Sequence, residues 1–210
     1  MTSHLISNTS AASAEAPDAF IQDTVRWLER AVIGLNLCPF AKSVHVKGQI
    51  HYAVALTEDL DTVRSLLRSE LTDLVATPAE VRDTTLLILP ACLHDFLDFN
   101  DFLGEADALL EELALDGTLQ IASFHPRFQF AGTDADDVTN CTNRSPYPML
   151  HLLREQSIDR AVEVFPEAET IFERNIEVLE ALGAPGWAAL DVGPRPKAPA
   201  PSEATRNQPQ

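Results

Sequence analysis

Apolar residues at Ile21, Val25, Leu28, Val32 and Leu35 recur at steps of four and three. That spacing places them on one face of a helix and predicts one over about 18–37, stopped by Pro39. A strand is expected over 50–56. Thr57 then caps a second helix over 58–76, where Leu60, Val63, Leu67, Leu71 and Leu74 align. The almost wholly apolar run TTLLIL at 84–89 has the pattern of a strand covered on both faces. A third helix is predicted over 98–115, with Gly117 as its stop, and a third strand over 119–124. After a long polar loop, Ser145-Pro146 resembles a helix start, a hydroxyl cap followed by proline, and predicts a fourth helix over 146–156. A fifth is expected from Pro166 to before Gly183.

Strands alternating with helices predict an α/β fold, a three-stranded, mainly parallel sheet flanked by about five helices. The alternative is a ferredoxin-like α+β arrangement in which 127–130 or 44–47 supplies an antiparallel strand. In either case 18–183 forms one α/β domain. Residues 1–17 are expected to be a disordered leader. Residues 184–210 hold six of the 14 prolines and are expected to be a disordered tail.

An apolar content of 45% is enough for a core, and the formal net charge is −17. The charge is concentrated over 58–116, where 15 acidic residues face three basic ones. Such a field argues against nucleic acid and anionic membranes as partners. The N-terminus lacks the charged start and apolar run of a signal peptide, and no window is apolar enough to span a membrane. Three separated cysteines, Cys38, Cys92 and Cys141, make a poor disulfide framework and suit a reducing cytoplasm. GxGxxG, GxxxxGK[ST], GxSxG and HExxH are all missing, which argues against the usual nucleotide-binding, hydrolase and metalloprotease classes. No residue pattern names a cofactor.

The chemistry is expected at 125–154. His125 follows a strand directly and is a candidate general acid or base. Cys141 lies near Arg144 and an expected helix N-terminus, two features that lower a thiol pKa, so it is the candidate nucleophile. Asn140, Thr142, Asn143, Arg144 and Ser145 would suit the phosphate or carboxylate of a small anionic ligand. Cys38, His151 and Arg154 are further possibilities. The bland reading is that these side chains only cap a helix, tie down a loop or fill the core. Two other functions stay open. One is a thiol or metal centre of Cys38, Cys141 and His125. The other is a non-catalytic interaction module that uses the acidic helices.

The stretches LCPFAK (37–42), FHPRFQF (124–130) and NCTNRSPYPMLHLLRE (140–155) resemble the bacterial family catalogued as domain of unknown function 1415, over about 22–183. The resemblance implies a stand-alone bacterial cytoplasmic protein and supplies no reaction.

Overall fold

The apolar run at 84–89 sets the centre of the architecture. Thr84–Ile88 (β2) is buried at every position. It pairs in parallel with Ile50–Val54 (β1) and antiparallel with Met149–Arg154 (β4). Leu119–Phe124 (β3) pairs antiparallel with β4 on its other side. The sheet therefore has four strands in the order β1-β2-β4-β3. This computed structural model describes residues 17–164 and 170–195. The leader over 1–16, the helix start at Pro166 and the tail beyond 195 lie outside the described residues.

The fold is mixed α/β, and the expectation of three mainly parallel strands is corrected. The added strand is the segment 146–156, expected to be a helix. MLHLLR is a short apolar run, which satisfies helical and extended patterns alike. The flanking Pro146 and Pro148 favour extended backbone before each of them. The Pro148 carbonyl already accepts the N–H of Leu89 at 2.9 Å and leads the chain into the ladder. The ferredoxin-like alternative placed its antiparallel strand elsewhere. Residues 44–47 lie at the end of helix Ala41–Val46 (α2), and 127–130 form turn and loop.

One face of the sheet is tightly closed. Leu60–Ala76 (α3) and Phe96–Glu112 (α4) pack Leu67, Leu71, Phe99 and Leu109 against Leu87, Leu150 and Leu152. Their caps are Asp59 and Asp95, whose carboxylates accept the N–H groups of Thr62 and Leu97. The cap of α3 is thus Asp59, with Thr57 two positions further out, accepting the Asp59 N–H.

The opposite face carries Ile50, Leu86, Ile88, Met149 and Phe124. It meets Pro17–Trp27 (α1), which widens into π-helical turns over Leu28–Ile33. Helix α2 and Glu155–Val164 (α5) flank that face, and α5 leaves β4 without a loop. Ile171–Ala189 (α6) packs through Leu179 beside Leu37 and Cys141.

The folded body runs past 183. Gly183 breaks α6 with φ 66°, and Pro185 begins the next helical stretch, a position that proline tolerates. Arg26 then holds the segment that follows. Its guanidinium donates to the carbonyls of Asp191 at 2.8 Å and Gly193 at 2.5 Å, and to Asp23 at 2.7 Å. Of the six prolines that suggested a tail over 184–210, Pro185 thus stands in helix and Pro194 in the segment docked on Arg26 and Asp23.

Candidate functional site

The polar segment after β3 bonds mainly to itself and to its neighbours. His125 is fully buried between the rings of Phe96 and Phe99, with centroids 5.3 and 5.2 Å away. Its Nδ1 accepts the backbone N–H of Arg127 at 2.9 Å, so Nε2 carries the proton and donates to the Leu93 carbonyl at 3.1 Å. Burial holds its pKa below the ordinary histidine value. With both nitrogens occupied, the ring fastens the end of β3 to the loop before α4. Arg127 adds to the same joint by donating to the His94 carbonyl at 2.5 Å.

The remaining first-ranked residues behave alike. Asn140 is fully buried. It accepts from the Phe130 N–H and the Thr133 hydroxyl, each at 2.9 Å, and donates to the Asp134 carbonyl at 2.9 Å. Asn143 donates to the Ser123 carbonyl at 3.1 Å. Arg144 donates to the carbonyls of Phe128 at 3.2 Å and Ala135 at 2.5 Å. The Ser145 hydroxyl donates to the Tyr147 carbonyl at 2.6 Å. Thr142 lies in the same short 3₁₀ turn, Val138–Asn143, half-buried.

No helix begins at Ser145, so the N–H groups expected there for an anion are absent. Cys141 is buried beside Leu37 and Leu179, and burial raises its thiol pKa, with Arg144 opposing. It is a packed thiol rather than an activated one. Among the described residues no group of three or more His, Cys, Asp or Glu is placed to hold a metal ion, so Cys38, Cys141 and His125 form no such centre.

The three second-ranked residues do meet. Cys38, His151 and Arg154 all line one cavity of about 690 Å³, which separates the α1 side of the sheet from α1, α2 and α5. Alternation along β4 explains half of this. Leu150 and Leu152 enter the closed core, so His151 and Leu153 emerge on the other face. Ile50, Leu86 and Phe124 join them to form an apolar floor. Trp27, Leu28, Val32 and Phe40 make one wall, and Ile158 and Ala161 of α5 make another. Charged residues, among them Lys47, Glu80, Asp83 and Arg160, stand at the rim.

His151 is the polar exception on that floor. Its ring makes no hydrogen bond with any described residue, and the Phe124 ring lies 6.1 Å from it. Burial pushes its pKa down to about 4, so the imidazole is neutral at physiological pH. Cys38 is half-buried at the wall, and burial raises its thiol pKa against the N–H groups of Phe40 and Ala41. Arg154 points its guanidinium away to the carbonyls of Leu74, Thr77 and Arg82, closing the C-terminal end of α3. Burial lowers its pKa.

Sequence reasoning passed over Trp27, Phe40, Lys47 and Arg160. The usable signal was His151 itself, a polar residue inside the apolar run MLHLL.

The molecule is thus a mixed α/β protein with one closed sheet face and one face that holds a cavity. The chain belongs to the family described as Protein of unknown function (DUF1415), whose model matches residues 19–189. No curated protein and no solved structure matches it. Among the described residues no helix is long and apolar enough to cross a membrane.

Proposed function

We propose that this chain binds a small, largely apolar molecule in the cavity over its sheet, with one polar atom of that molecule hydrogen-bonded to His151. The observation that carries the reading is the His151 ring, neutral and without a hydrogen-bond partner among the described residues, facing about 690 Å³ of mainly apolar surroundings. That volume lies within the roughly 300–1,000 Å³ of ordinary small-molecule sites, and such sites pair an apolar lining with a few placed polar groups. His151 is half-buried, so its ring is open to the cavity and a ligand atom there would take the place of water on it. Small-molecule recognition, expected at 125–154, is therefore assigned to the His151 end of that segment, on the cavity face of β4.

Two accompanying readings have simple support. The charge of −17 favours a partner other than nucleic acid or an anionic membrane. Three free thiols suit the reducing cytoplasm of a bacterial cell.

The test uses Nile red, a neutral apolar dye with a carbonyl group. Its fluorescence should rise on saturable binding to the native protein. His151→Leu should weaken binding several-fold, and Leu86→Trp, which fills the floor, should abolish it. Unsaturable binding, or saturable binding untouched by Leu86→Trp, would place the dye elsewhere and sink the reading.

A further inference from the structure

The rim of the same cavity carries a second, independent signal. Three cations line it, Lys47, Arg154 and Arg160, against two carboxylates, Glu80 and Asp83. Asp83 is engaged by a hydroxyl, and Glu80 forms no ion pair among the described residues. Both exert their field on Arg154, and Asp83 also accepts the Ser157 hydroxyl at 2.6 Å. Arg154 in turn is held by carbonyls.

Lys47 and Arg160 remain. Both are exposed, and neither has a carboxylate within ion-pairing distance among the described residues. Among the described residues Arg160 donates only to its neighbour Ser157, at 3.0 Å. Lys47 ends α2 and Arg160 sits on α5, so the two cations come from the two helices that flank the opening. An excess of cations over carboxylates at the mouth of an apolar cavity is unexpected on a chain of net charge −17. The repulsion of the distant carboxylates is screened over about 8–10 Å at physiological salt, so the nearest charges decide.

We infer that the ligand is an amphipathic carboxylic acid. Its mainly apolar body lies over the floor and carries the polar atom that meets His151, while a separate carboxylate sits at the opening between Lys47 and Arg160. This rests on the cavity-binding reading above and adds the charge and orientation of the occupant. A neutral apolar ligand would leave both cations unused, and an amine would meet them with repulsion. An acid places charge where water still reaches it and keeps the interior apolar, which avoids the penalty of burying an ion.

The experiment displaces Nile red with matched pairs: decanoic and hexadecanoic acids, 2-naphthoic acid, and the methyl ester of each. Full-length protein is used throughout. At least one acid should displace the dye about ten-fold more tightly than its ester, the size of one favourable charge-assisted contact. The double variant Lys47→Gln/Arg160→Gln should bring that acid to the level of its ester and leave the ester within two-fold. Should the variant not fold, high salt on the unaltered protein gives the same comparison, weakening the acid and not the ester.

Acids and esters that displace Nile red equally would overturn the inference and leave the cavity reading standing. Esters alone displacing it would do the same. An acid preference that survives both the double variant and high salt would move the carboxylate away from these two residues and also overturn it. If Nile red itself does not bind saturably, both readings fall together.

Discussion

His151 lies directly across from Leu86 on the neighbouring antiparallel strand, and both side chains line the same cavity. Opposed residues of an antiparallel pair share a face, so this register puts an imidazole beside a leucine on the floor. The absence of a partner for the ring makes the pair unequal. Leu86 is satisfied by apolar contacts, and His151 is not.

Acid should expose that inequality. The folded ring has a pKa of about 4 against 6.5 for a free histidine. The unfolded chain therefore takes up a proton below pH 6.5 while the folded chain does not. Stability is fully present above that value and falls as the pH drops towards 4, by about 3 kcal/mol. His125, lowered in the same direction, adds to the loss. His151→Leu should leave stability near neutral pH unchanged or raised by about 1 kcal/mol and should flatten the acid loss. Urea unfolding at the two ends of the window measures both. An acid loss identical in the variant would mean that the ring titrates normally.

Cys38 should report on the cavity. It is the half-buried cysteine, while Cys92 and Cys141 are buried. N-ethylmaleimide should label Cys38 in native protein, slowly at neutral pH because burial raises its pKa. The other two should react only after unfolding. A bound cavity ligand should protect Cys38 several-fold. Mass spectrometry of the labelled peptides decides, and native labelling of Cys141 would contradict its packing.

His125→Ala should damage the fold and spare the cavity. It removes two hydrogen bonds and the contacts with Phe96 and Phe99. The expected loss is about 2–4 kcal/mol. Nile red affinity, measured where the variant is folded, should stay within two-fold. A stable variant with altered binding would reverse the roles given to His125 and His151.

Asp23 should matter for the docked C-terminal turn. Its buried carboxylate accepts from Arg26 at 2.7 Å, the Tyr147 hydroxyl at 2.8 Å and the Arg195 N–H at 3.0 Å. Burial alone would raise its pKa, yet these donors together hold it below the ordinary value. Asp23→Ala leaves the Arg26 charge buried without its carboxylate, at a cost of about 3 kcal/mol. Hydrogen exchange over 190–195 should accelerate in this variant. Unchanged exchange there would show that the turn is held by other contacts.

The fold was legible where one period dominated. The leucines of α3 and the five buried residues of β2 each fit one pattern. β4 was not, because a short segment with four apolar residues behind Ser-Pro satisfies a helix start as well as a strand. Only pairing on both edges settles the matter, and pairing is a long-range property. The same is true of the site. Asn140, Asn143 and Arg144 are the residue types that hold ligands and also those that hold a loop's own carbonyls. Their partners lie up to 20 positions away in the chain, as with Asn143 and Ser123. His151, Cys38 and Arg154 converge through the β2–β4 register and the return of α2, neither of which is written in local spacing.

The strand order β1-β2-β4-β3 also bears on how the protein is made. β4 is the last strand to leave the ribosome, yet it lies between two strands finished earlier. Until residue 154 has emerged, β2 and β3 each present an unpaired apolar edge, the kind that recruits other chains. Nascent chains stalled before Met149 should therefore hold chaperones, and release them once the sixth residue of β4 has closed the gap.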